Sequence, residues 1–197
     1  SGKLEKGKYY YQEIEAPKGI IVDNNLYDFV LETDGQNVIK NMVNYYAKGK
    51  LVINKYATDN RTLANVKFEI TDAQGNVVDT IITDKNGKAE TKDLVLGTYY
   101  YQEIEAPSNV VMDSTKYEFK LNENNQVVTA RIVNKLLEGT LKIIKVDENE
   151  KPLQGVKFNI YDENKQLVDT MVTDANGVAV SGKLEKGKYY YQEIEAP

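Results

Sequence analysis

The nonapeptide Tyr-Tyr-Tyr-Gln-Glu-Ile-Glu-Ala-Pro occurs at residues 9–17, 99–107 and 189–197, always with an offset of 90 residues. The same offset carries Asn44 onto Asn134, Lys55 onto Lys145 and Gly87 onto Gly177 without a gap. A fixed long period is the signature of an array, so every other feature has to be read within one unit. The chain then divides into the C-terminal part of a repeat (1–47), one complete repeat (48–137) and the N-terminal part of a further repeat (138–197). It is expected to be a window on a longer protein, with neighbouring repeats as its first partners.

A unit of 90 residues has thin burial, and a covalent staple would matter to it. The chain has no cysteine, which excludes disulfides and thiolate metal sites, and no histidine, which excludes imidazole-based catalysis and metal ligation. The sequence calls for no cofactor and no metal. Lys and Arg (25) are interspersed with Asp and Glu (30) for a net charge of −5, so there is no basic stripe to attract nucleic acid. No apolar run approaches a membrane span, and no signal peptide opens the chain.

Within the complete unit, apolar alternation with β-branched and aromatic enrichment predicts strands. They fall at 51–55, 66–70, 77–83, 89–91, 98–104, 117–121 and 127–135. Asp72–Gly75 reads as a turn between the second and third. Asp84-Lys85-Asn86-Gly87 reads as a hairpin turn, because Asn-Gly suits positive φ. Its faint likeness to a calcium loop, through Glu90, is lost in the next unit, where Val180 replaces the last carboxylate. Pro107 ends the triplet strand, having no ladder donor. About seven short strands with regular turns predict an all-β antiparallel sandwich.

Strand parity puts Lys55 on the apolar face of the first strand with Leu51 and Ile53. It puts Glu103 with Tyr99 and Tyr101, and Asn134 with Ile132 and Ala130. An unpaired buried charge costs several kcal/mol, so these groups must neutralise or find partners. One reading is a Lys–Glu ion pair at the sandwich rim with asparagine as a neighbour. The other is a reaction. Burial disfavours charge on amine and acid alike. A neutral lysine could attack the asparagine carboxamide while glutamic acid polarises the carbonyl and shuttles protons. Ammonia would leave, and an amide would join first strand to last.

Tyr99-x-Tyr101-x-Glu103-x-x-Ala106-Pro107 resembles the E-box of the collagen-adhesin B-type, or SpaA-like, prealbumin-like domains of Gram-positive surface proteins. Gly49–Lys55 resembles that family's opening strand with its reactive lysine, and Arg131-Ile-Val-Asn134-Lys135 its closing strand with the reactive asparagine. The resemblance covers the whole unit, motifs in order. It implies an inverse immunoglobulin-like sandwich, a spontaneous Lys55–Asn134 isopeptide bond and Glu103 as the catalytic acid. The family has leucine where Tyr101 stands, which adds a hydroxyl that needs a partner if buried.

The flanking parts are broken sites. Glu13 and Asn44 lack a lysine, and Lys145 and Glu193 lack an asparagine. Completion by end-to-end contact with another copy would bring Lys145 to Asn44, although the duplicated segments 1–17 and 181–197 would then compete for one strand position. The function implied is the stalk of an extracellular, cell-wall-anchored adhesin or fibre, with host matrix contact made through other domains. The alternative is direct binding of matrix protein or carbohydrate, for which the outward Tyr10, Tyr100 and Tyr190 are candidates, though their invariance suits a scaffold better. A turnover enzyme is not expected, since the acid is spent on one intramolecular event. No sorting signal or pilin lysine motif marks a polymerised pilus backbone.

Overall fold

The computed structural model describes residues 2–197, and every regular element among them is a β-strand. The first segment contributes β1 (Gly7–Tyr11) and β2 (Tyr27–Leu31). The complete repeat contains β3 (Lys48–Ala57), β4 (Lys67–Asp72), β5 (Val77–Ile82), β6 (Lys88–Glu90), β7 (Leu94–Val95), β8 (Gly97–Glu105), β9 (Val110–Val111), β10 (Lys116–Leu121) and β11 (Val127–Leu136). The third part holds β12 (Glu138–Gly139), β13 (Lys142–Ile144), β14 (Lys157–Tyr161), β15 (Leu167–Val172), β16 (Val178–Val180), β17 (Leu184–Glu185) and β18 (Tyr190–Glu195). All seven expected strands of the complete repeat form. The two additional ones, β7 and β9, are too short to carry a period.

Two sheets face each other in this repeat. One has the order β10-β8-β4-β5. The other has the order β6-β3-β11-β9, with β7 against the start of β3. Their inner faces share one core, including Leu51 and Ile53 from β3, Phe68 and Ile70 from β4, and Tyr101 from β8. Alternation is strict along β3, where Gly49, Leu51, Ile53, Lys55 and Ala57 are all buried.

Two details depart from the sequence reading. The sandwich is not wholly antiparallel, since β3 and β11 pair in parallel with Lys55 opposite Ile132. Side-chain alternation reports faces and carries no information on strand direction. The Asp84–Gly87 turn forms, but it joins strands of different sheets, because β5 pairs β4 and β6 pairs β3. Asp84 closes it locally, its carboxylate accepting from the N–H groups of Asn86 (2.8 Å) and Lys88 (2.9 Å). Gly87, at φ 71°, packs against β3, and a Cβ there would lie 2.4 Å from the Lys55 carbonyl oxygen.

The third part repeats this plan as far as it runs. β13 pairs β16 as β3 pairs β6, and β15-β14-β18 matches β5-β4-β8. Its core is small, built on Val156, Phe158, Ile160, Met171 and Ala179, and Ile144 and Tyr191 remain exposed. β1 and β2 form a two-stranded ribbon.

Candidate functional site

Lys55, Glu103 and Asn134 come together in the interior of the complete repeat. Their relative exposures are 0%, 2% and 1%, which excludes bulk water from all three. Lys55 stands near the C-terminal end of β3 and Asn134 near that of β11. Glu103 reaches across from β8 in the opposite sheet, so the site bridges both layers.

The Lys55 Nζ lies 2.5 Å from Asn134 Oδ1 and 2.7 Å from Glu103 Oε2. Asn134 Nδ2 donates to Glu103 Oε1 at 2.5 Å. One carboxyl group thus touches the amine through one oxygen and the carboxamide nitrogen through the other. No further hydrogen bond reaches Oε2 among the described residues. The amine also sits 5.8 Å from the centre of the Phe68 ring, which meets Tyr101 edge-on, and Tyr101 stacks on Tyr117.

Burial lowers the Lys55 pKa from its ordinary value, against the opposing pull of Glu103 and, more weakly, of Asp113. Burial also pushes the Tyr101 hydroxyl up. Asp113 and Tyr117 were not singled out from sequence, yet they wall this end of the site. Tyr117 Oη donates to Asp113 Oδ2 at 2.6 Å, and Tyr27 Oη donates to Asp23 Oδ2 at 2.6 Å one period earlier. That shared offset was the available signal.

The broken sites are each assembled as far as their residues allow. Asn44 Nδ2 donates to Glu13 Oε1 at 2.6 Å, and Glu13 Oε2 accepts the Asp23 N–H at 2.6 Å. Lys145 Nζ lies 3.0 Å from Glu193 Oε2, with about a third of each side chain exposed (34% and 35%). Neither pair has the third group, and neither is sealed from solvent as the central site is.

The sequence profile described as "SpaA: Prealbumin-like fold domain" matches residues 49–136 and 139–197, more than half of the chain. The chain belongs to the SpaA prealbumin-like family. The chain is 35% identical over 150 residues to a Staphylococcus aureus protein named collagen adhesin, a match that covers 71% of this chain but 13% of that protein. It is 28% identical over 149 residues to serine-aspartate repeat-containing protein F of Staphylococcus epidermidis, covering 64% of this chain and 9% of that one. The chain therefore spans only a small fraction of these relatives' length. Among solved structures, the Bacillus anthracis TIE protein superposes with a TM-score of 0.86 and 33% identity over 98% of this chain and 37% of that one. A C-terminal fragment of the pilus adhesin SpaC from Lactobacillus rhamnosus GG has a TM-score of 0.57 at 19% identity, covering 76% of each chain, and shares the fold.

Proposed function

We propose that this chain is part of the stalk of a cell-surface adhesin or fibre, and that its complete repeat is locked by an autocatalytic Lys55–Asn134 isopeptide bond. The observation that carries this reading is the bridging carboxyl of Glu103, with one oxygen at the lysine Nζ and the other at the asparagine Nδ2. The neutral amine attacks Asn134 Cγ, forming the Nζ–Cγ bond. Glu103 moves a proton from the amine to Nδ2, the Cγ–Nδ2 bond breaks, and ammonia leaves. Proximity fixed by folding supplies much of the rate. Glu103 acts once, so the chain is not a turnover enzyme.

The parallel pairing of β3 and β11 gives the bond a mechanical role. Tension entering at Lys48 runs along β3 to Lys55, crosses to Asn134 and leaves at Leu136, while β4 to β10 lie outside the loaded path. Opening by force or protease is then blocked covalently. We place the protein at the outer face of the cell wall and assign any matrix ligand to domains beyond this chain. We further propose that Lys145 and Asn44, with Glu193 or Glu13 as acid, react only when a repeat is completed by neighbouring sequence or by another copy. Intact mass tests the reading. The complete repeat is expected to have lost one ammonia, with residues 55 and 134 joined in one branched peptide, and an unaltered mass would sink it.

A further inference from the structure

Residues 1–17 are identical to residues 181–197, an offset of 180. At the 90-residue offset the same stretch diverges just before the tyrosines: Leu94-Val95-Leu96 stands where Leu184-Glu185-Lys186 and Leu4-Glu5-Lys6 stand. This tripeptide is the part of a repeat that meets the repeat before it. β17 pairs with β12 at the very start of its own repeat through Glu138↔Glu185 and Gly139↔Leu184, and across the boundary the Lys186 N–H donates to the Leu137 carbonyl at 2.7 Å. β7 makes the matching backbone contacts with Lys48 and Gly49, and the Leu96 N–H donates to the Ala47 carbonyl at 3.2 Å.

The backbones agree at the two junctions and the side chains do not. Both oxygens of Glu185 face the Arg61 guanidinium, whose Nε is held by Asp59 at 2.6 Å. Lys186 Nζ donates to the Ser108 carbonyl at 3.1 Å. Glu138 lies opposite Glu185 in the ladder, and Lys183 at 3.3 Å offsets that like-charge contact. At the other junction Val95 and Leu96 carry no charge, so neither can make such an ion pair. The receiving side differs too, since Lys151, which lacks the two-pronged guanidinium, stands at the position of Arg61.

We propose that Glu185 and Lys186 form a latch that fixes one type of repeat onto the other, with Arg61 and the Ser108 carbonyl as the receiving surface. An isolated exposed ion pair orients little, but a two-pronged arginine contact pinned by a second carboxylate is the geometry in which such a pair does. The array is then a series of latched pairs separated by junctions at which valine and leucine replace the charged residues of the latch. This deepens the stalk reading and takes its significance from it.

The absence of cysteine permits clean spin labelling of the whole chain at exposed Lys85 and Asn164, one on each side of the latch. Dipolar spectroscopy is expected to give a narrow distance distribution in the parent protein. It should broaden at about 1 M salt, where the screening length falls to about 3 Å. Arg61→Ala and Glu185→Ala should each lose the narrow component, and the double variant should lose no more than either. A distribution unchanged in the single variants, or independent additive effects in the double one, would overturn the latch. Intact mass of the same samples reads the Lys55–Asn134 bond separately, so failure of the latch and failure of the cross-link are distinguishable.

Discussion

Lys55 and Asn134 stand on neighbouring parallel strands two positions out of register: Lys55 lies opposite Ile132, and Asn134 lies opposite Ala57. Their side chains nevertheless meet, with Nζ 2.5 Å from Oδ1. The length of the lysine stem spans the stagger, so no backbone distortion is needed to bring amine and carboxamide together. Glu103, arriving from the facing sheet, fixes both partners.

Replacing Glu103 with glutamine should abolish the loss of ammonia while preserving most of the packing. The variant would keep a buried lysine without its carboxyl partner, and removing one partner of a buried Lys–Glu pair typically costs about 3–5 kcal/mol. Intact mass and a urea melt of the same sample check both parts. A Glu103→Gln protein that still loses ammonia would remove the carboxyl from the mechanism.

Cross-linking within a single chain should be confined to the complete repeat. A monomeric sample should lose one ammonia, and peptide mapping should place the branch at residues 55 and 134. Lys145 and Asn44 should stay unreacted in dilute protein, because each meets a glutamate but not the other. Covalent oligomers that appear on concentration, and vanish with Lys145→Ala or Asn44→Ala, would mark completion between copies.

The depressed Lys55 pKa has a pH signature that can be isolated in Asn134→Ala, which cannot form the bond. An unfolded lysine titrates near about 10.4, above the folded group. Between the two values the unfolded chain binds more protons, so stability rises as pH rises through that window. Urea melts of Asn134→Ala, with Lys55→Met/Asn134→Ala subtracted, should have this positive slope. Asp113→Asn should extend the lower edge of the window to lower pH, since that carboxylate favours the ammonium form in the folded protein. A flat difference curve would mean that Lys55 is not desolvated.

Gly87→Ala should disturb the site from outside it. The residue has φ 71°, and a Cβ would lie 2.4 Å from the Lys55 carbonyl oxygen. Strain of this kind costs on the order of 1–3 kcal/mol. Slower appearance of the cross-linked mass is expected together with a lower melting temperature, whereas Gly75→Ala, which meets nothing within 4 Å, should leave the bonding rate unchanged.

The period and parity of the sequence made most of this fold legible. Alternation along β3, β8 and β11 identified which of their residues face the core, and the 90-residue offset showed that only the complete repeat holds lysine, glutamate and asparagine together. Those readings succeed because a strand assigns successive side chains to opposite faces whatever surrounds it. The wall formed by Asp113 and Tyr117 escaped notice because Asp113 lies outside any strand, and the alternation that groups Tyr117 with Phe119 and Leu121 says nothing of the partner of its hydroxyl.

Sequence alone determined that lysine, glutamate and asparagine would be turned inward, since that follows from local alternation. Only the tertiary structure decided that they meet. Strand direction, the two-residue stagger of Lys55 and Asn134, the passage of the Asp84–Gly87 turn between sheets and the reach of Glu103 across the sandwich all depend on strands distant in the chain. Residues 79 positions apart come into contact only when two sheets pack, and no local pattern encodes that distance.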